Sequence, residues 1–181
     1  QLKTVVAATT AKDGVTHAAL YLLGRIAQIY RAKPNVGEAA GWFRQLAADP
    51  AAGHWGDLAR VKLAVLELYA LPAAGPEQRL AAVDELIHGA MRNDPATVRD
   101  LHRLAARGVM FYNLPPDAAL QHLLAADKIG GLTGTPAADQ LVQIGELAWD
   151  TGRVELAKDY YARLRAEYPR DPRCYVMDER L

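Results

Sequence analysis

The sequence predicts an all-α protein, an α-solenoid of about four helix-turn-helix hairpins. Three observations predict it: an alanine- and leucine-rich composition, prolines that fall at helix starts or in linkers, and an apolar–small pair that recurs every 40 or 41 residues. Hydrophobic residues make up 51% of the 181-residue chain and aromatics only 7%. Alanine and leucine therefore carry much of the apolar content, and they are among the strongest helix formers. Long runs of alternating β-branched residues are absent.

The ten prolines lie at positions 34, 50, 72, 76, 95, 115, 116, 136, 169 and 172. Proline breaks a helix interior but fits the first helical position, where its missing N–H is not needed. Gly75-Pro76, Asp94-Pro95 and Thr135-Pro136 read as an N-cap followed by a first position, and Pro115-Pro116 marks a further start. Eight proline-free segments with helical periodicity lie between these stops: 15–32, 36–48, 55–70, 76–92, 95–112, 116–129, 136–150 and 153–167. Segment 15–32 aligns Ala19, Leu22, Leu23, Ile26 and Tyr30 on one stripe, and segment 153–167 does so with Leu156, Tyr160 and Leu164. Short linkers suit antiparallel neighbours. The organisation expected is a lead-in at 1–14, a helical repeat domain at 15–169 with units at about 15–50, 55–92, 95–130 and 136–169, and a tail at 170–181.

The eight segments repeat in pairs. Leu23-Gly24, Leu63-Ala64, Leu104-Ala105 and Ile144-Gly145 each place a tiny residue after an apolar one in the first helix of a pair, at spacings of 40, 41 and 40 residues. A tiny residue there lets the second helix approach closely, and self-similarity at this period marks a stacked array.

In the last unit Ile144-Gly145, Ala148, Gly152, Ala157, Tyr161 and Pro169 fall where the tetratricopeptide repeat has Leu-Gly, a small or aromatic residue, Gly, Ala, an aromatic and Pro. The chain resembles that family here. The resemblance implies that Gly145 and Ala157 permit a close crossing, that Gly152 makes the turn, that Tyr161 fills the core and that Pro169 ends the second helix. The first unit resembles the longer Sel1-like variant: Leu23-Gly24 is followed by Ala40, Phe43 and Ala47-Ala48, with Tyr30 and Ala32 standing where that variant has loop glycines. The third unit is Sel1-like in Ala118, Gln121, Ala125-Ala126 and Gly130-Gly131, without the aromatic. The second, 55–92, keeps Leu63-Ala64 and the pair Ala81-Ala82. The stretch AKDYYARLRAEYPRDP is similar to repeats of bacterial envelope lipoproteins.

Chemistry-bearing patterns are few. The chain has no serine, which removes a Ser/His/Asp nucleophile, and its threonines lie mainly at segment edges (Thr16, Thr97, Thr135), where capping or ordinary helix-start roles explain them. His17, His54, His88, His102 and His122 include no HxxxH pair. Glu85-x-x-His88 has the spacing used in di-iron bundles, but a second such motif is missing. Gly130, Gly131 and Gly134 lack the GxGxxG or GK[ST] context of a phosphate loop. Asp84 and Glu85 are adjacent on a helix and point apart. Cys174 is the single cysteine, so no intrachain disulfide forms, and no motif marks it as a nucleophile. We expect no catalytic, cofactor or metal site, and no enzyme.

The 21 basic and 21 acidic residues balance and are interspersed, as between Arg163 and Arg173, where Glu167 and Asp171 intervene. Nucleic-acid binding is not expected from such a surface. No apolar run reaches the ~20 residues of a membrane span. The chain opens on Gln1 rather than Met, as a processed or truncated chain would, so location is not read from the lack of a targeting segment. What remains is binding of a protein or peptide. In the tetratricopeptide register the inner face carries Tyr21, Arg25 and Gln28 in unit one and Val61, Val65, Leu68 and Tyr69 in unit two. Unit three adds Arg99, His102 and Met110, and unit four adds Val142, Glu146 and Trp149. Unit two is apolar on both faces, which means burial within the chain or cover for a partner. The family resemblance implies an interaction scaffold of the bacterial periplasm or envelope, such as those that organise exopolysaccharide secretion. The alternatives are a cytoplasmic setting and a helical accessory domain of a larger enzyme or regulatory protein.

Overall fold

The computed structural model describes residues 4, 13–90 and 94–179, and all of its regular structure there is helical. Most of the expected lead-in and the last two residues of the expected tail lie outside the described residues, as do the last two positions of segment 76–92. The helices are α1 (Gly14–Arg25), α2 (Val36–Ala47), α3 (His54–Tyr69), α4 (Pro76–Ala90), α5 (Pro95–Phe111), α6 (Pro116–Ile129), α7 (Thr135–Asp150), α8 (Val154–Glu167) and a short α9 (Cys174–Asp178). The expected segments match α1 to α8 to within two residues, except that α1 leaves the α-helical path at Ile26 and continues as a π-helical turn over Ile26–Tyr30. α9 falls in the segment expected to be a tail, and its Met177 is buried. No described helix is long and apolar enough to cross a membrane.

The helix starts follow ordinary capping chemistry. Asp13 Oδ1 accepts from the Thr16 N–H at 2.8 Å, and Asn35 Oδ1 from the Glu38 N–H at 3.0 Å. One cap differs from expectation. Thr135 is already helical, and the cap is Gly134, at φ +61°. A left-handed backbone is open to glycine, so the helix begins one residue earlier than Thr135-Pro136 suggests. Two arginines close helix ends: Arg60 donates to the Ala47 carbonyl at the end of α2 at 2.6 Å, and Arg79 to the Glu67 carbonyl near the end of α3 at 2.9 Å. Cations there satisfy orphan carbonyls and complement the helix dipole.

The chain divides into two compact units, one ending at Leu104 and one beginning at Ala105. This boundary falls within α5, inside the third expected hairpin. In the first unit α2 packs against α1 and α3, α3 packs against α4, and α1 also touches α3. Its core is built from Ala27, Ala39, Ala40, Phe43, Leu46, Ala59, Leu63 and Leu66. In the second unit α7 packs between α6 and α8, and α9 folds back on α8.

The repeat positions are core positions. Gly24 is buried, and a Cβ on it would lie 2.5 Å from Phe43 Cε1, so the ring of α2 rests directly on the glycine of α1. Gly145 does the same in the second unit, where a Cβ would overlap the ring of Tyr161. Ala40, Ala64, Ala105 and Ala157 have no exposed surface. Gly152 takes φ +74° in the turn between α7 and α8. Pro169 follows α8 by two residues, where it cannot continue the helix.

Candidate functional site

In the first unit the expected binding residues Tyr21 and Arg25 lie on α1 beside α3. The Tyr21 ring is 5.8 Å from Phe43 and 5.5 Å from Trp55, tilted against both. Tyr21 thus carries the core outward to Trp55 on the partly exposed face. Next to it, Arg25 faces Lys62 of α3. Burial first, and then the Arg25 charge, hold the Lys62 ammonium below the usual lysine range. Neither cation has an ion-pair partner among the described residues. Gln28, one turn beyond Arg25 in the π-helical turn, has a buried Oε1 with no hydrogen-bond partner among the described residues. Two like charges, partly desolvated and uncompensated, cost free energy in the free protein. An anion would remove that cost.

The rest of the expected face divides. Val61 and Val65 are half-buried on α3, and Tyr69 is 40% exposed at its end. Leu68 is a correction: it has no exposed surface and belongs to the core. The apolar character of unit two is therefore largely used inside the chain, by Leu63, Leu66, Leu68, Val83 and Ile87. Arg99 is half-buried and pairs with its neighbour Asp100 at 3.0 Å, and His102 is half-buried one turn on. In the second unit Met110 is 40% exposed, while Val142, Glu146 and Trp149 are half-buried on α7. Glu146 Oε1 accepts from the Tyr161 hydroxyl at 3.2 Å, which makes it a brace of the hairpin as well as a surface carboxylate.

A second polar constellation, which the sequence reading did not single out, sits where α6, α7 and α8 meet. Asp127 Oδ2 accepts from the Tyr160 hydroxyl at 2.7 Å and from Arg163 Nη1 at 2.8 Å. The Arg163 guanidinium also lies 4.9 Å from the centre of the Tyr160 ring. Burial alone would raise the Asp127 pKa, but hydrogen bonds from Arg163, Tyr160 and Gln140 together hold it below the usual carboxylate range. Burial, reinforced by the bond to Asp127, pushes the Tyr160 hydroxyl up to about 12. The sequence signal was present in Gln140, a polar residue within the buried stripe of Ala138, Leu141, Ile144 and Ala148.

Three of the residues weighed for chemistry have structural partners. His17, 3% exposed, contacts Asp49 Oδ2 at 3.3 Å, and His88 Nδ1 meets the Asp84 carbonyl of its own helix at 2.7 Å. Cys174 Sγ lies 3.7 Å from the Tyr168 carbonyl. Among the described residues no three His, Cys, Asp or Glu side chains converge as a metal-ligand set. No family model, curated protein or solved structure matches this chain.

Proposed function

We propose that this chain is a non-catalytic protein–protein interaction scaffold, an α-solenoid of the tetratricopeptide/Sel1-like kind, that holds an acidic segment of a partner on the first-helix face of its N-terminal unit. The observation that carries the reading is the Arg25–Lys62 pair, two neighbouring half-buried cations without a carboxylate partner among the described residues, flanked by the partly exposed Tyr21 and Trp55. A carboxylate-bearing segment would supply the missing counter-charge, and the aromatic pair would cover its apolar stem. The Gly24–Phe43 and Gly145–Tyr161 crossings support the repeat assignment, because they put a tiny residue beneath an aromatic as both repeat types require. The likeness of the last unit to envelope lipoprotein repeats supports a place in a bacterial envelope or exopolysaccharide secretion assembly.

The test is titration of the intact chain with a Glu-rich nonapeptide and its Gln-substituted counterpart, at low and at 0.3 M salt. We expect saturable, salt-sensitive binding of the acidic peptide alone, weakened about tenfold or more in the Arg25→Ala/Lys62→Ala variant, as for loss of charge-assisted hydrogen bonds. Equal binding of both peptides, or binding untouched by the double substitution, would remove the reading.

A further inference from the structure

In the first unit α1 packs along α2 and touches α3, and its buried residues include Leu20, Leu23, Gly24 and Ala27. The opposite side of the same helix is apolar as well. Val15 is 68% exposed, Leu22 47% and Ile29 48%, and the half-buried Ala18 and Ile26 lie between them. The stripe runs about 20 Å along the helix without a charged residue in it. The solvent side of a surface helix is ordinarily polar. A contiguous apolar stripe left in water marks an association surface.

The stripe is also a palindrome. Val15 and Ile29 each stand seven residues from Leu22, and Ala18 and Ile26 each stand four. Two copies laid antiparallel about a twofold axis at Leu22 therefore set Leu22 against its own counterpart, Val15 against Ile29 and Ala18 against Ile26. Every contact then joins apolar groups, and in each unlike pair the smaller side chain meets the larger. Self-complementarity of this kind is what an isologous interface requires. The ends match in charge. Asp13, the exposed N-cap, and Arg31, which also holds Glu38 of its own chain, each stand nine residues from Leu22. The pairing brings the carboxylate end of one helix to the guanidinium end of the other, and it sets the two helix dipoles head to tail. Arg25 lies off the stripe, towards Lys62 of α3, so this surface is separate from the one assigned to an acidic segment.

We propose that this face of α1 is a self-association surface, on which a second copy of the chain docks its own α1 antiparallel, with Leu22 at the twofold axis. One helix face falls short of the ~800 Å² per partner of a standard stable interface, so the dimer is reversible and forms as concentration rises.

The experiment is sedimentation equilibrium on the intact chain from low micromolar to millimolar concentration. We expect a monomer–dimer equilibrium with a midpoint at about 10–100 μM. Leu22→Glu and Leu22→Lys each put like charges across the axis and should weaken the dimer at least tenfold, with the melting temperature of the monomer unchanged because Leu22 is largely outside the core. Mixing the two variants should restore a dimer, since the charges at the axis are then opposite. In a Cys174→Ala background, Leu22→Cys should oxidise to a disulfide-linked dimer, while Val15→Cys should cross-link with Ile29→Cys and not with itself. The proposal is overturned if the chain sediments as a monomer throughout. A slow reaction of the Leu22→Cys thiol with a thiol reagent would then assign the face to residues 1–12 of the same chain, and a fast one would leave it to a different protein. It is equally overturned by a dimer that the charged variants do not weaken, or that their mixture does not restore.

Discussion

The first hairpin, α1–α2, and the hairpin α7–α8 solve one packing problem with two different turns. In both, a glycine of the first helix lies under an aromatic that is the eighth residue of the second helix: Gly24 under Phe43, and Gly145 under Tyr161. The chain between them differs, at 18 residues in one and 15 in the other. Two of the three extra residues are in the linker, 31–35 against 151–153, and the third is in the first helix, where Ile26–Tyr30 winds as a π turn. A π turn accommodates an inserted residue without ending the helix. The longer linker is held by the Asn35 N–H on the Ala27 carbonyl and by Arg31 on Glu38. The shorter one is held by glycine geometry at Gly152 and by Thr151 Oγ1 on the Leu147 carbonyl at 2.8 Å. The crossing is the constant feature, and the turn adapts to it.

The sharpest way to break this equivalence is to remove the rings. Phe43→Ala and Tyr161→Ala should each cost about 3–5 kcal/mol in urea unfolding, the range for a fully buried aromatic. A loss below about 1 kcal/mol at either site would mean that its ring is not the keystone of its hairpin. Filling the glycines is next. Gly24→Leu and Gly145→Leu should each cost about 1–3 kcal/mol through overpacking, since the first added carbon already meets the ring. An unchanged melting temperature at one position would end the parallel between the two crossings.

The turns should respond separately. Gly152→Ala is expected to cost about 1 kcal/mol, because alanine is strained at φ +74°, while Asn35→Ala should cost about 1 kcal/mol by uncapping α2. Neither should alter the other hairpin's amide protection in hydrogen exchange. The smallest effect concerns acid. The folded pKa of Asp127 is depressed, so its stabilisation is full above the unfolded carboxylate value of about 4 and is lost as pH falls through the lower folded value. Asp127→Asn should flatten the acid limb of stability below about pH 4, by less than about 1 kcal/mol, because Arg163 is partly solvated. An unaltered acid limb would show that Asp127 is not held in this network.

Helix positions were legible in the sequence because proline and the apolar stripe act locally. Pro76, Pro95 and Pro116 start helices where their missing N–H costs nothing, and Leu23-Gly24 and Ile144-Gly145 mark crossings that only a missing Cβ allows. Thr135 was misplaced by one residue because the positive φ of Gly134 is a property of the folded backbone. The π turn was not legible, since Ile26–Tyr30 has ordinary helical composition and is defined by how the first helix meets the second.

Composition and period by themselves determined an all-helical chain and where its helices start, because helix propensity and proline stereochemistry belong to a few consecutive residues. Only the tertiary structure decided that Leu68 is core rather than surface, that Lys62 meets Arg25 from the neighbouring helix, and that Gln140 ends against Asp127 with its carbonyl unpaired. These outcomes depend on which side chains from distant segments share one space. Burial, charge and hydrogen-bond satisfaction are properties of that shared space and are not carried by any one stretch of chain.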